Sequence, residues 1–174
     1  MTTPTEQLLP GDADPLWGPV LTSLTTCLCA TLTAAGRPAC ACCLVWGASP
    51  PAHDWCDCDC GDGSGQAWVR LVRLDPITDY GADSAGRCGA WRMRAVIEAG
   101  ISRCVAVAGP DGSAPDCEQR ETDALSALAD ARLLRQAIAC CDALADLRVE
   151  PDTMRPTGPQ GGCAGAIMQI TVEA

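Results

Sequence analysis

The sequence has no phenylalanine, no lysine, a single tyrosine and a single histidine. Without Phe, the core must be built from Leu, Val, Ile, Ala, Met, Cys and the five Trp. Without Lys, all 12 basic residues are Arg, set against 22 acidic ones for a formal net charge of −10. That balance argues against a nucleic-acid binder that works by neutralising phosphates. It also argues against a polybasic membrane-surface anchor. Long apolar runs are also missing. The most apolar stretch, 21–35, is interrupted by Ser23 and five Thr, whereas a membrane span needs about 20 apolar residues. Residues 1–14 carry acids and no basic residue, the wrong flank for a secretory signal. Synthesis and retention in a cytoplasm are therefore expected, with no membrane partner.

What is present is an apolar fraction of 48% in 174 residues, enough for one domain with its own core. The surplus of Arg, Ala, Gly and Pro over Lys, Ile, Asn and Phe is the bias of a GC-rich genome. Cysteine is the anomaly: there are 14, near the level of disulfide scaffolds, in a chain expected in a reducing compartment. Bound metal, disulfides formed after release, and thiols used as small buried apolar residues are all open.

Residues 1–13 read as a flexible N-terminal arm, and 14–174 as a single α+β domain. Asp14-Pro15 has the chemistry of an N-cap and first helical residue, and apolar residues at spacings of three and four predict a helix over 14–35. Cys40–Trp46 (CACCLVW) predicts a buried strand. Residues 47–65 predict a long Cys-rich loop. Gln66–Leu74 predicts a strand with Ala67, Val69 and Leu71 on one face and Trp68, Arg70 and Val72 on the other. Trp91–Ala99 alternates likewise; Gly100 interrupts, and Ile101–Ala108 either continues the strand or forms the next. Glu121–Asp146 predicts the best helix, its core stripe Leu125, Leu128, Ala131, Leu134, Ile138, Cys141 and Leu144, with Asp130 mostly off it. Pro151, Pro156 and Pro159 predict a loop, and Gly165–Ala174 a last strand. The expected fold is α+β: a mostly antiparallel sheet of about four strands, two helices on one face, in the order α-β-β-β-α-β.

The metal candidates are Cys40, Cys43, His53, Cys56, Cys58 and Cys60. Zinc takes four Cys or His ligands, often in pairs two to four residues apart. Here Asp57 and Asp59 crowd the C-x-C-x-C, and no second clean C-x-x-C pair follows. The disulfide candidates are Cys40, Cys42, Cys56, Cys58, Cys60, Cys88, Cys104 and Cys163, several near strand ends or turns where loops can be tied; Cys117 is a further outlying thiol. Cys140 and Cys141 lie about 100° apart on a helix and cannot share one partner surface. No catalytic residue is expected: His53 beside Asp54 and Cys56 reads as an exposed loop histidine, since triads are assembled in space rather than locally. Residues 61–65 lead into a strand, so they form no helix-N-terminal phosphate site, and no cofactor is expected. Arg92 and Arg94, with Gln169, Thr171 and Glu173 on the last strand, are candidate subunit contacts, because Arg is favoured at interfaces.

Residues 66–70 (QAWVR), 98–100 (EAG), the helix from Asp123 to Asp146 and the ending 158–165 (GPQGGCAG) before a terminal strand resemble small virion proteins of long-tailed phages of high-GC, Gram-positive hosts. The element order is similar to that of their tail terminators. The resemblance implies a structural virion protein without catalysis. It would form a hexameric ring that caps the tail tube protein and meets the head-tail connector or stopper protein. DNA would pass through the lumen without specific binding. The dense cysteine cluster departs from simpler terminators. A head-completion or stopper protein of the same neck, and a zinc-binding or thiol-redox protein using 40–60, are the alternatives.

Overall fold

A computed structural model describes residues 9, 13–47, 65–77, 92–160 and 162–173. The elements are α1 (Trp17–Ala34), β1 (Ala41–Val45), β2 (Gln66–Pro76), β3 (Met93–Cys104), α2 (Cys117–Ala139), a 3-10 turn (Asp142–Leu144), β4 (Arg148–Gln160) and β5 (Cys163–Glu173). The fold is α+β, with the sheet order β1-β2-β3-β5-β4. β1 runs parallel to β2, and the other neighbours are antiparallel.

Alternation along the strands places the core. Ala67, Val69 and Leu71 lie in register with Ile101, Ala99 and Ile97. Those in turn face Ala166, Met168 and Ile170. Side chains in register share a face, and this face meets both helices. Leu24, Leu28 and Leu32 of α1 and Leu134, Ala137 and Ile138 of α2 are buried against it. Burying a Leu or Ile side chain stabilises by about 1.5–3 kcal/mol, so this layer carries most of the driving force. α1 begins at Trp17 rather than at 14, and the Asp14 carboxylate ahead of it accepts the backbone N–H groups of Leu16 at 2.9 Å and Trp17 at 2.7 Å.

Four expectations need correction. The strand expected to be buried at 40–46 is not: Cys43 is exposed, and Leu44 and Trp46 are 45% and 87% exposed. The second helix begins at Cys117, where Asp116 caps it by accepting the Gln119 N–H at 2.8 Å, and it ends at Ala139, so Cys141 and Leu144 reach the core from a 3-10 turn. Its first half does not carry the predicted stripe: Leu125 and Leu128 are 59% and 65% exposed, and Asp130 is buried in their stead. The proline-marked loop is strand β4, giving five strands among the described residues rather than about four. It is the outermost strand, where Pro is tolerated because no neighbour needs its missing N–H. Of the two readings left open after Gly100, the structure shows continuation: β3 runs from Met93 to Cys104 through this glycine. A Cβ there would lie 2.3 Å from the Trp68 ring and 2.9 Å from Ile167; glycine is present because the indole crosses the strand at that point.

Candidate functional site

The second sheet face buries an unexpected polar row. Arg70, Glu98 and Gln169 stand side by side on β2, β3 and β5. Arg70 donates to both oxygens of Glu98, at 2.8 and 3.1 Å, and Gln169 Nε2 donates to Glu98 Oε2 at 3.1 Å. Trp68 Nε1 donates to Glu98 Oε1 at 3.4 Å, and Arg70 Nη1 donates to the Gly47 carbonyl at 2.8 Å. Glu98 is 1% exposed. Burial pushes its carboxyl up, but the bonds from Arg70 and Gln169, the Arg70 charge and the Trp68 bond together hold it below the ordinary value. Each buried charge is paired, as burial requires.

A second cluster fastens the helix layer to the strands. Asp130 of α2 is gripped by two guanidinium groups. Arg37, between α1 and β1, donates at 2.8 and 3.0 Å, and Arg103, at the end of β3, donates at 2.6 and 3.2 Å. Arg103 Nη2 also donates to the Arg37 carbonyl at 2.8 Å, and Arg37 Nη2 to Ser126 Oγ at 2.7 Å. In both clusters the carboxylate is held by guanidinium groups of the same chain.

Cysteines form a framework around α1. Cys27 is bonded to Cys141, with Cα atoms 5.7 Å apart, and Cys29 to Cys42, at 6.0 Å. Cys40, Cys104 and Cys163 are also disulfide-bonded. Cys43, Cys117 and Cys140 are exposed thiols. Of the metal candidates, Cys40 is oxidised and Cys43 is a thiol on β1, while His53, Cys56, Cys58 and Cys60 lie outside the described residues, as does the disulfide candidate Cys88. Among the described residues, no group of three or more His, Cys, Asp or Glu is placed to hold a metal ion. The half-cystines Cys27, Cys29 and Cys141 were not among the sequence candidates. Their signal is the C-x-C on a helix, which sends two sulfurs about 200° apart, toward two different partners.

Of the contact candidates, Arg94, Gln169 and Glu173 have side-chain partners within the chain. Arg94 is paired with Glu173, and Arg148 Nη1 approaches the same carboxylate at 3.5 Å. Gln169 serves Glu98, Thr171 is half-buried, and the Arg92 carbonyl accepts the Ile77 N–H at 3.0 Å. The free surface features are elsewhere. Leu125 and Leu128 point outward from α2. A groove of about 510 Å³ runs between the end of α2, the 3-10 turn and the start of β4, lined by Ile138, Cys140, Leu144, Leu147, Val149 and Met168 among others. At the opposite end of the sheet, Leu44 and Trp46 beside the β1 edge are 45% and 87% exposed. Among the described residues, no helix is long and apolar enough to cross a membrane. No protein-family model matches the chain, and no curated protein matches it.

Proposed function

We propose that this chain is a structural virion protein, the tail terminator of a long-tailed phage. It assembles in the host cytoplasm and acts in the neck of the particle. A hexameric ring of it caps the tail tube and meets the head-tail connector, with DNA passing through its lumen. The observation that carries this reading is a pair of unlike apolar surfaces on one subunit: the outward leucines of α2 and the groove beside β4. Unlike surfaces that join copy to copy make a heterologous contact, and such contacts close into rings when the rotation closes. The architecture also favours a terminator over a stopper, because stoppers are more often small β-barrels and this sheet is open with two helices on one face.

The test is peptide mass spectrometry of purified virions together with native mass spectrometry of the protein added to tails that lack it. Presence in the particle, and a six-subunit assembly on tube ends, are expected. Absence from particles would remove the reading.

A further inference from the structure

The two outer strands of the sheet are built differently. β4 presents Pro151, Pro156 and Pro159, the charges of Arg148, Glu150, Asp152 and Arg155, and two register shifts against β5. Prolines, charges and bulges are the devices that stop a sheet edge from recruiting another strand. β1 has none of them. Residues 38–47 carry no charged side chain in a chain of net charge −10, and no proline falls within the strand. Among the described residues, no strand covers its outer side. Cys43 is the middle residue of this five-residue strand. Cys42 turns inward to its disulfide with Cys29, so Cys43 emerges on the other face, exposed and reduced. Of the ten described cysteines, seven are oxidised and three are thiols. Surroundings that oxidise the seven also act on an exposed thiol.

We infer that β1 is a self-pairing edge: two copies of this chain join their sheets antiparallel through β1 about a two-fold axis at Cys43, and a Cys43–Cys43 disulfide locks the pair. A two-fold at the central residue sets Cys43 directly opposite its counterpart. Directly opposed residues of an antiparallel pair have Cα atoms about 4.5 or 5.5 Å apart, and both values fall in the disulfide range of about 4.4–6.8 Å. The same register lays Leu44 opposite the partner's Cys42 and Trp46 opposite the partner's Cys40, so the 87%-exposed Trp46 gains cover. Absence of charge on the segment lets two acidic chains meet there without setting carboxylate against carboxylate. The oxidant is a small disulfide such as glutathione disulfide. One Cys43 thiolate attacks it and displaces a glutathione thiolate; the second Cys43 thiolate attacks the mixed disulfide and displaces the other. Two protein thiols become one disulfide, one small disulfide becomes two thiols, and the two protons pass to them. This inference concerns the free chain and does not rest on the ring reading.

The full chain, oxidised with glutathione disulfide, is examined by non-reducing gel, peptide mapping and native mass spectrometry. A covalent dimer joined through the Cys43 peptide, returned to monomer by reductant, is the expected result. Cys43→Ser should abolish the covalent dimer while Cys27–Cys141 and Cys29–Cys42 still form, and Leu44→Lys should weaken the remaining non-covalent dimer at least tenfold. A dimer linked through Cys117 or Cys140, a dimer indifferent to Cys43→Ser, or Cys43 still open to alkylation as a monomer after oxidation would overturn the proposal. The ring is scored separately, by six-subunit mass on tube ends, so either idea can fail alone.

Discussion

Glu98 and its donors occupy a face that strand alternation alone would assign to solvent. The sequence does show Arg70 and Glu98 on the side opposite Ala67 and Ala99, and that much was legible. Their pairing was not, because it depends on the β2–β3 register, a long-range property. Removing one partner of a buried pair leaves the other uncompensated, at about 3–5 kcal/mol. Arg70→Ala should therefore lower stability by about that amount in denaturant unfolding, whereas replacing Arg70 and Glu98 together by apolar residues of similar volume should cost far less. The pH dependence follows in sign. Glu98 titrates below its ordinary value of 4.5 in the folded protein. Its contribution is complete above that value and is lost as pH falls through the lower folded pKa. Unfolding midpoints followed from pH 7 down to pH 3 should fall in the acid range, and Glu98→Gln should flatten the part of that fall due to this residue. Gly100 is tested alone: Gly100→Ala drives a methyl into the Trp68 ring and should destabilise by about 1–3 kcal/mol.

At the scale of elements, α1 is tied to the rest of the fold by two disulfides. One disulfide closes a sequence separation of 114 and the other a separation of 13. Chain-entropy arguments give about 4.7 kcal/mol for a loop near 100 residues and about 3 for one near 15. Replacing both Cys27 and Cys141 by Ala should thus cost more than replacing both Cys29 and Cys42, as read from chemical unfolding of the two double variants. Helix α1 was readable because its apolar spacing and its Asp14-Pro15 start agree. Helix α2 misled the sequence reading because leucine at helical spacing signals a face without saying what that face meets; Leu125 and Leu128 turn outward, while Asp130 turns in to meet Arg37 and Arg103. β4 was missed because proline punctuates local structure, and only its outer position in the sheet makes three prolines tolerable. The α+β class and the helices on one face were legible because alternation and helical periodicity are local signals. The sheet order and the parallel β1 were not.

Taken as a whole, the molecule separates what holds it together from what it offers. Its ionic clusters are turned inward, and its apolar extras lie at the α2 surface, the β4 groove and the β1 edge. Leu125→Asp combined with Leu128→Asp should leave the circular dichroism spectrum and unfolding midpoint nearly unchanged, since surface changes usually fall within about 0.5 kcal/mol. The same variant should lose assembly on tube ends; unaltered assembly would remove α2 from the subunit contact. The paired disulfides of α1 have one more consequence. Cys42 is joined to Cys29, and Cys27 to Cys141, with Leu28 between the two helix positions. An unbroken covalent path therefore runs from the first strand, through three residues of helix, to the turn after α2. Tension applied between those two points is borne by bonds rather than by packed side chains. Under load, the sheet edge and the turn after α2 can separate no further than that covalent path allows until sulfur–sulfur bonds are reduced.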